Sequence, residues 1–149
     1  MNDLRGQKLL LVEDDENDIE LAMRALKGVN LINRIHVVKD GEEALEYIFG
    51  SDDNNEENVG HCPLIVLLDL KIPKINGLEV LKKLKSDRRT SSIPIVILTS
   101  SKESKDLKSC YEMGANSYIV KPYDLAEFTR AVSTAGLYWL VINESSIGD

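Results

Sequence analysis

Residues 64–69 read LIVLLD, which is five branched apolar side chains followed by one carboxylate. A short apolar run without polar alternation is typical of a strand that is buried on both faces of a parallel sheet. Residues 9–12 and 95–98 form two further runs of the same kind, and each is also followed by polar residues. Residues 35–38 and 118–120 form weaker runs that fit edge strands. We therefore predict a parallel sheet of five strands.

Segments with helical periodicity separate these runs, because apolar residues recur three or four positions apart between them. The first of these segments carries Ile19, Ala22, Met23 and Leu26. The last carries Leu125, Phe128, Val132, Ala135 and Trp139. Regular alternation of strand and helix predicts the α/β class, with a doubly wound parallel sheet and right-handed crossovers.

Three of the predicted helices begin with a capping signal, in which an Asp or Asn is followed three residues later by Glu. The pairs are Asp40 and Glu43, Asn76 and Glu79, and Asp124 and Glu127. Such side chains accept hydrogen bonds from the free N–H groups at a helix start. We therefore assign these acids to helix starts and not to catalysis.

The composition is that of one globular domain, with 149 residues, 43% hydrophobic and 29% charged, and a net charge of −7. An acidic balance argues against binding to nucleic acid or to an anionic membrane. The two cysteines, Cys62 and Cys110, lack the spacing of a zinc site or a disulfide framework. No leader or membrane-spanning run is evident, so we expect a cytoplasmic protein. Residues 50–62 are acidic and lack periodicity, which predicts a solvated loop.

Polar residues follow the predicted strands at the edge where doubly wound sheets bind ligands. Glu13 and Asp14 follow the first strand, Asp69 the third, Thr99 the fourth and Lys121 the fifth. Each has a simpler role when it is taken alone, such as a first-turn acid or a surface lysine. Asp69 is the exception, because a carboxylate at the end of a buried strand needs a positive partner. Either Lys121 or a bound cation meets that need.

Carboxylates that converge in this way favour a hard divalent cation, Mg²⁺ by preference or Mn²⁺. Because Mg²⁺ commonly shares phosphate oxygens with its protein ligands, the set points to phosphoryl chemistry, in which an Asp carboxylate is a suitable nucleophile. The cation and Lys121 would neutralise charge on the phosphoryl group, and the Thr99 hydroxyl would bind one of its oxygens.

Four segments around the strand ends read LLVEDDEND, LLDLKIPKINGLEVL, PIVILTSS and GANSYIVKPYD. Together they resemble the response-regulator receiver domain of two-component signalling. The resemblance runs from about residue 8 to about residue 142, and it implies one receiver domain over residues 1–149 without an output domain. It implies the flavodoxin-like (βα)5 fold with strand order 2-1-3-4-5. The loop before Pro63 and the GLYWL segment are most similar to small stand-alone regulators, including phytochrome partners.

The resemblance also implies a role for each site residue. Asp69 matches the phosphoacceptor. The implied metal ligands are Asp14, Glu13, Asp69 and the backbone carbonyl of Lys71. Lys121 matches the lysine that pairs with the phosphoryl group, and Thr99 and Tyr118 match the pair that switches conformation on phosphorylation.

A receiver of this kind is not an enzyme in the ordinary sense, although it assists its own phosphorylation and dephosphorylation. The implied donor is a sensor histidine kinase or a histidine phosphotransfer protein, and the implied output is a protein contact. Neither nucleic acid nor membrane is an expected partner.

Three alternatives remain open. An aspartate-nucleophile phosphatase of the haloacid-dehalogenase type needs an acid two residues after the nucleophile, where this chain has Lys71. A receiver-like module that is never phosphorylated would not need the complete set of acids, threonine and lysine. A flavodoxin-like cofactor binder would carry a phosphate-binding loop after the first strand, and none is evident there.

The aromatic pair Tyr138 and Trp139 suggests a homodimer contact, because adjacent helical residues point in different directions and one of the two is expected to be exposed. A last helix that folds onto its own domain explains the pair equally well.

Overall fold

The computed structural model describes residues 7–50 and 60–136. It contains one sheet of five parallel strands in the order β2-β1-β3-β4-β5. The strands are Leu9–Val12 (β1), Ile35–Val38 (β2), Ile65–Leu68 (β3), Ile95–Thr99 (β4) and Ser117–Val120 (β5). The weaker runs do form the two edge strands, and the predicted class, strand number and strand order are confirmed.

Each strand is followed by a helix, as the periodicity predicts. The helices are Glu16–Gly28 (α1), Gly41–Phe49 (α2), Gly77–Ser86 (α3), Ser104–Glu112 (α4) and Leu125–Thr134 (α5). None of the helices in the described ranges is long and apolar enough to cross a membrane.

Strand β3 has no polar alternation because both of its faces are buried. Ile65 and Leu67 belong to a core shared with α1 and α5. Val66 and Leu68 point the other way, into a core shared with α2, α3 and α4. All four side chains are at most 2% exposed. The central position of β3 brings the residue after it, Asp69, to the middle of the sheet edge.

The three capping signals are confirmed. At each helix start the Asp or Asn side chain accepts a hydrogen bond from the backbone N–H three residues later, at 2.7–2.9 Å. The pairs are Asp40 and Glu43, Asn76 and Glu79, and Asp124 and Glu127. In the last pair the Glu127 side chain also accepts from the Asp124 N–H, which completes a capping box.

The apolar residues of the last helix differ in their burial. Leu125 is 46% exposed, because it lies at the first position of α5 and covers Gly28 at the end of α1 instead of entering the core. Phe128, Val132 and Ala135 are buried. Tyr138 and Trp139, with the suggested dimer contact, lie outside the described residues, as do residues 51–59 of the acidic loop.

Candidate functional site

Backbone pairing beyond the ends of the strands brings the site residues together. The Asp69 N–H donates to the carbonyl of the last residue of β1 at 3.1 Å. The Glu13 N–H donates in the same way to the last residue of β2, at 3.0 Å, and the Lys121 N–H to the Thr99 carbonyl, at 2.8 Å. Because the strands are parallel, these residues all lie at the carboxyl edge of the sheet.

Three of the predicted acids form a cluster at this edge. Glu13, Asp14 and Asp69 each offer a carboxylate oxygen, and these oxygens lie within 4.8 Å of one another. Glu13 is 2% and Asp69 is 7% exposed, whereas Asp14 is open to solvent. A set of carboxylate oxygens with one open side fits a hard cation such as Mg²⁺ or Mn²⁺, which retains water ligands.

Lys121 lies directly against this cluster. Its Nζ donates to a Glu13 carboxylate oxygen, to Asp18 Oδ2 at 3.0 Å and to Asp69 Oδ2 at 3.3 Å. The lysine side chain is only 7% exposed. Lys121 is therefore the positive partner of Asp69, which is one of the two possibilities that the sequence left open. The carboxylate oxygens of the cluster are also suited to bind a cation.

Asp18 is a site residue that the sequence analysis missed. It lies in the first turn of α1, three residues after the Asp15 cap, and no local signal distinguishes it from an ordinary acid at a helix start. Asp15, a third acid beside Glu13 and Asp14, caps the same helix, because its Oδ1 accepts from the Asp18 N–H at 3.0 Å.

A glycine lets α3 begin next to the Asp69 backbone. A Cβ at Gly77 would lie 2.3 Å from the Asp69 carbonyl oxygen and 2.6 Å from the Leu70 Cα. The Gly77 N–H also donates to the Leu70 carbonyl at 2.9 Å. The start of α3 thereby fixes the backbone that carries Asp69.

Thr99 and Tyr118 meet the same third residue, Ser101. The Ser101 N–H donates to Thr99 Oγ1 at 3.3 Å, and the Tyr118 hydroxyl donates to the Ser101 carbonyl at 3.0 Å. Ser101 Oγ donates to Asp106 Oδ2 in the first turn of α4 at 2.6 Å. The two residues of the predicted switch pair are therefore connected through the β4–α4 loop.

A family model described as the response regulator receiver domain matches residues 9–133. The chain belongs to this family. Receiver domains are signalling modules that accept a phosphoryl group from histidine kinases or phosphotransfer proteins, and they are not classical enzymes.

Curated relatives cover most of this receiver domain. The probable methanogenesis regulatory protein FilR2 of Methanothrix harundinacea is 37% identical over 92% of this chain and 86% of its own length. Response regulator Rcp1 of Synechocystis is 31% identical over 89% of this chain and 88% of its own length.

Solved structures of phytochrome response regulators are also similar. The bacteriophytochrome response regulator RtBRR is 44% identical, with a TM-score of 0.76 over 89% of this chain and 80% of that one. The phosphorylated cyanobacterial phytochrome response regulator RcpA is 33% identical, with a TM-score of 0.68 over 91% and 88%. The Mn²⁺-bound form of Rcp1 is 30% identical, with a TM-score of 0.68 over 90% and 94%. The narrower resemblance to phytochrome-partner regulators is thus confirmed.

The charges of the receiver site perturb one another. Burial raises the pKa of Glu13 to about 7; the hydrogen bond from Lys121 opposes this shift, and the nearby Asp69 carboxylate adds to it. Burial alone would lower the pKa of Lys121, but its hydrogen bonds to Glu13 and Asp18, together with the negative charges of Asp69 and Glu13, raise it. The site without a metal thus holds more negative charge than one lysine neutralises.

Tyr123 borders the same charges. It is buried, and its hydroxyl meets no hydrogen-bond partner among the described residues. Burial raises its pKa, as do the nearby charges of Glu13 and Asp18, so it remains a neutral phenol.

Proposed function

We propose that Asp69 is the phosphoacceptor of this receiver domain and that its phosphorylation depends on Mg²⁺ or Mn²⁺. The observation that carries the proposal is the position of Asp69 Oδ2, 3.3 Å from the buried Lys121 ammonium and within the carboxylate cluster. A nucleophilic carboxylate beside a fixed positive charge is suited to attack an anionic phosphoryl group.

In the proposed transfer, an Asp69 carboxylate oxygen attacks the phosphorus of a phosphohistidine. The new O–P bond forms as the N–P bond breaks, and the electron pair of the N–P bond returns to the imidazole nitrogen of the donor. Hydrolysis returns the protein to its unphosphorylated form. Water attacks the phosphorus, and the products are the Asp69 carboxylate and dihydrogen phosphate. The protein carries a covalent signal between these two events.

The side chains around Asp69 have complementary tasks in this proposal. The Lys121 ammonium pairs with a phosphoryl oxygen as negative charge accumulates there. The Thr99 hydroxyl already accepts a hydrogen bond from Ser101, so its own proton is free to be donated to the phosphoryl group. Movement of Thr99 would be transmitted to Tyr118 and α4 through Ser101.

The carboxylates of Glu13, Asp14 and Asp69 would hold the cation, with the Lys71 backbone carbonyl as the further protein ligand. The Lys71 N–H donates to Asp69 Oδ1 at 3.4 Å, so the Lys71 backbone lies beside one of the proposed ligands; the role of its carbonyl is what the family resemblance implies. The bound cation would supply charge neutralisation for the incoming phosphoryl group.

The proposed phosphoryl donor is a sensor histidine kinase or a histidine phosphotransfer protein, and the proposed output is a change in protein contacts. The net charge of −7 supports a protein partner over a nucleic acid or an anionic membrane.

Incubation with acetyl phosphate and Mg²⁺ tests the proposal directly. We expect intact-protein mass spectrometry to detect the addition of one phosphoryl group, which is lost again in hydroxylamine. Asp69→Asn should remain unlabelled. Asp15→Asn is the matched control, because it removes the same charge beside the site while asparagine still caps α1. Equal labelling of wild type and Asp69→Asn would contradict the proposal.

A second incubation, with p-nitrophenyl phosphate and Mg²⁺, tests the phosphatase alternative. A haloacid-dehalogenase-like enzyme would turn over small phosphomonoesters steadily, with an acid two residues after its nucleophile. The residue at that place here is Lys71, which is exposed and is not a suitable proton donor. We therefore expect no sustained release of phosphate from p-nitrophenyl phosphate.

A further inference from the structure

Lys121 has three carboxylate partners, and one of them stands apart from the other two. Glu13 and Asp69 belong to the cluster that is suited to a cation. Asp18 does not, yet its Oδ2 is only 3.0 Å from the Lys121 ammonium, closer than Asp69 Oδ2 at 3.3 Å. The lysine is thus shared between two cation ligands and a third acid on a different element.

This sharing has a consequence for cation binding. A lysine ammonium and a divalent cation compete for the same carboxylate oxygens, so the ammonium must release Glu13 and Asp69 at least in part. Asp18 offers the ammonium an alternative partner at the same time. The Asp18 side chain is 33% exposed, and its backbone N–H is tied to the Asp15 cap, which keeps it on this side of the helix.

The same carboxylate has the opposite effect on a phosphoryl group. Lys121 is the positive side chain that contacts Asp69. A phosphoryl group on Asp69 therefore competes with Asp18 for that ammonium, and it also meets one more negative charge near the site.

We propose that Asp18 is a positioning residue for Lys121. Its carboxylate competes with Glu13 and Asp69 for the ammonium, and it thereby favours binding of a divalent cation while it opposes capture of a phosphoryl group. This inference deepens the proposed function and rests on it. Loss of the Asp18 charge should therefore weaken cation binding and strengthen binding of a phosphoryl group. Loss of helix stability or general damage to the site would instead weaken both.

The test is Asp18→Asn, which keeps a side-chain acceptor for Lys121 but removes the charge. Mg²⁺ binding is measured by calorimetry, and beryllofluoride binding is then measured in saturating Mg²⁺. We expect the dissociation constant for Mg²⁺ to rise about three- to tenfold and that for beryllofluoride to fall by about the same factor.

Glu16→Gln is the matched control. Glu16 also lies in the first turn of α1, but it pairs with Lys39 at 2.7 Å instead of with Lys121. It therefore controls for net charge and for the helix dipole, and we expect it to leave both constants within about twofold of wild type. Asp18→Glu restores the charge and should return both constants toward the wild-type values.

Two results would overturn the inference: a parallel weakening of both ligands in Asp18→Asn, or constants that match those of Glu16→Gln. This inference and the proposed function can fail independently of each other. A wild-type protein that binds Mg²⁺ but neither beryllofluoride nor a phosphoryl group would refute phosphoacceptance. The Mg²⁺ titrations of the two variants would still test whether Asp18 controls Lys121.

Discussion

A single buried ammonium organises the site at the scale of residues. Lys121 is 7% exposed and contacts three carboxylates, with Asp14 close to two of them. A buried charge is tolerated only when it is paired, and here the acids outnumber the lysine. This excess of carboxylates over the lysine favours the binding of an additional positive charge at the site.

Replacement of that ammonium should destabilise the fold without weakening the binding of a cation. Lys121→Ala leaves the buried Glu13 and Asp69 carboxylates without their partner, so the free energy of unfolding in EDTA should fall by about 2–4 kcal/mol. Mg²⁺ should bind at least as tightly as in wild type, because its competitor for the oxygens is gone. Urea denaturation and Mg²⁺ calorimetry check the two parts, and weaker Mg²⁺ binding would contradict the competition between lysine and cation.

The raised pKa of Glu13 gives a prediction about pH. Its carboxyl has a pKa of about 7 in the folded, metal-free protein, against an ordinary value of 4.5. As the pH falls through 7, Glu13 takes up a proton in the folded state, which relieves a buried negative charge but removes a carboxylate that we propose as a cation ligand. The metal-free protein should gain stability from this group between pH 7 and pH 4.5, whereas the affinity for Mg²⁺ should fall.

Calorimetric titration of Mg²⁺ between pH 8 and pH 6 measures that dependence. We expect the apparent affinity to be nearly constant above pH 7 and to fall by up to about tenfold per pH unit below it. Glu13→Gln should bind more weakly and lose most of the dependence. A wild-type affinity that is flat down to pH 6 would show that Glu13 stays ionised or does not bind the cation.

At the scale of elements, the start of α3 controls the position of Asp69. The helix begins at Gly77, whose backbone lies against the Asp69 carbonyl, and its cap is the Asn76 side chain, which accepts from the Glu79 N–H at 2.9 Å. The residues just after β3, Asp69 and Leu70, are thus packed backbone to backbone against the first residue of α3, and a side chain cannot be inserted between them.

Gly77→Ala tests that packing. Its Cβ would approach backbone atoms at 2.3 and 2.6 Å, so β3 or α3 must move, and we expect a loss of about 2–4 kcal/mol of stability together with reduced labelling of Asp69. Gly28→Ala is the control, because its nearest neighbour is the flexible Leu125 side chain, with Cδ1 at 2.9 Å. Chemical denaturation should leave Gly28→Ala within about 1 kcal/mol of wild type. Equal effects of the two substitutions would refute the special role of Gly77.

Across the molecule, the sheet carries one hydrophobic core on each face, and every strand contributes side chains to both cores. The site lies across the ends of β1, β3, β4 and β5, so a ligand that bridges these ends is coupled to global unfolding. Ligands that bind only the folded state raise its stability by mass action.

Removal of the metal should therefore lower the midpoint of thermal unfolding. At a Mg²⁺ concentration ten times the dissociation constant, the stabilisation is about 1.4 kcal/mol, or about 3–5 °C for a domain of this size. Calorimetric scans with Mg²⁺ and with EDTA check this at pH 8, where Glu13 is ionised. Asp14→Asn should abolish most of the difference between the two scans, and a full shift in that variant would contradict the assigned cluster.

Most of the fold follows from local sequence. The strand around Val66 is predicted from composition alone, since a run that is apolar at every position is stable only when both faces are covered. The caps at Asp40, Asn76 and Asp124 are local as well, because donor and acceptor are three residues apart. The exposure of Leu125 does not follow from local sequence, because periodicity does not reveal which neighbour a residue meets at the start of a helix.

Local sequence is enough to predict the alternation of strands and helices. It is also enough to predict that five polar residues follow strand ends, since these signals depend on residues close together in the chain; they are Glu13, Asp14, Asp69, Thr99 and Lys121. The sharing of the Lys121 ammonium between Asp18 and Asp69 is visible only in the folded protein, because the contact joins α1 to the end of β5, across 103 positions of sequence, and depends on how the sheet orders its strands. Local periodicity carries no information about such a distance, whereas the carboxyl edge of a parallel sheet brings these charges together.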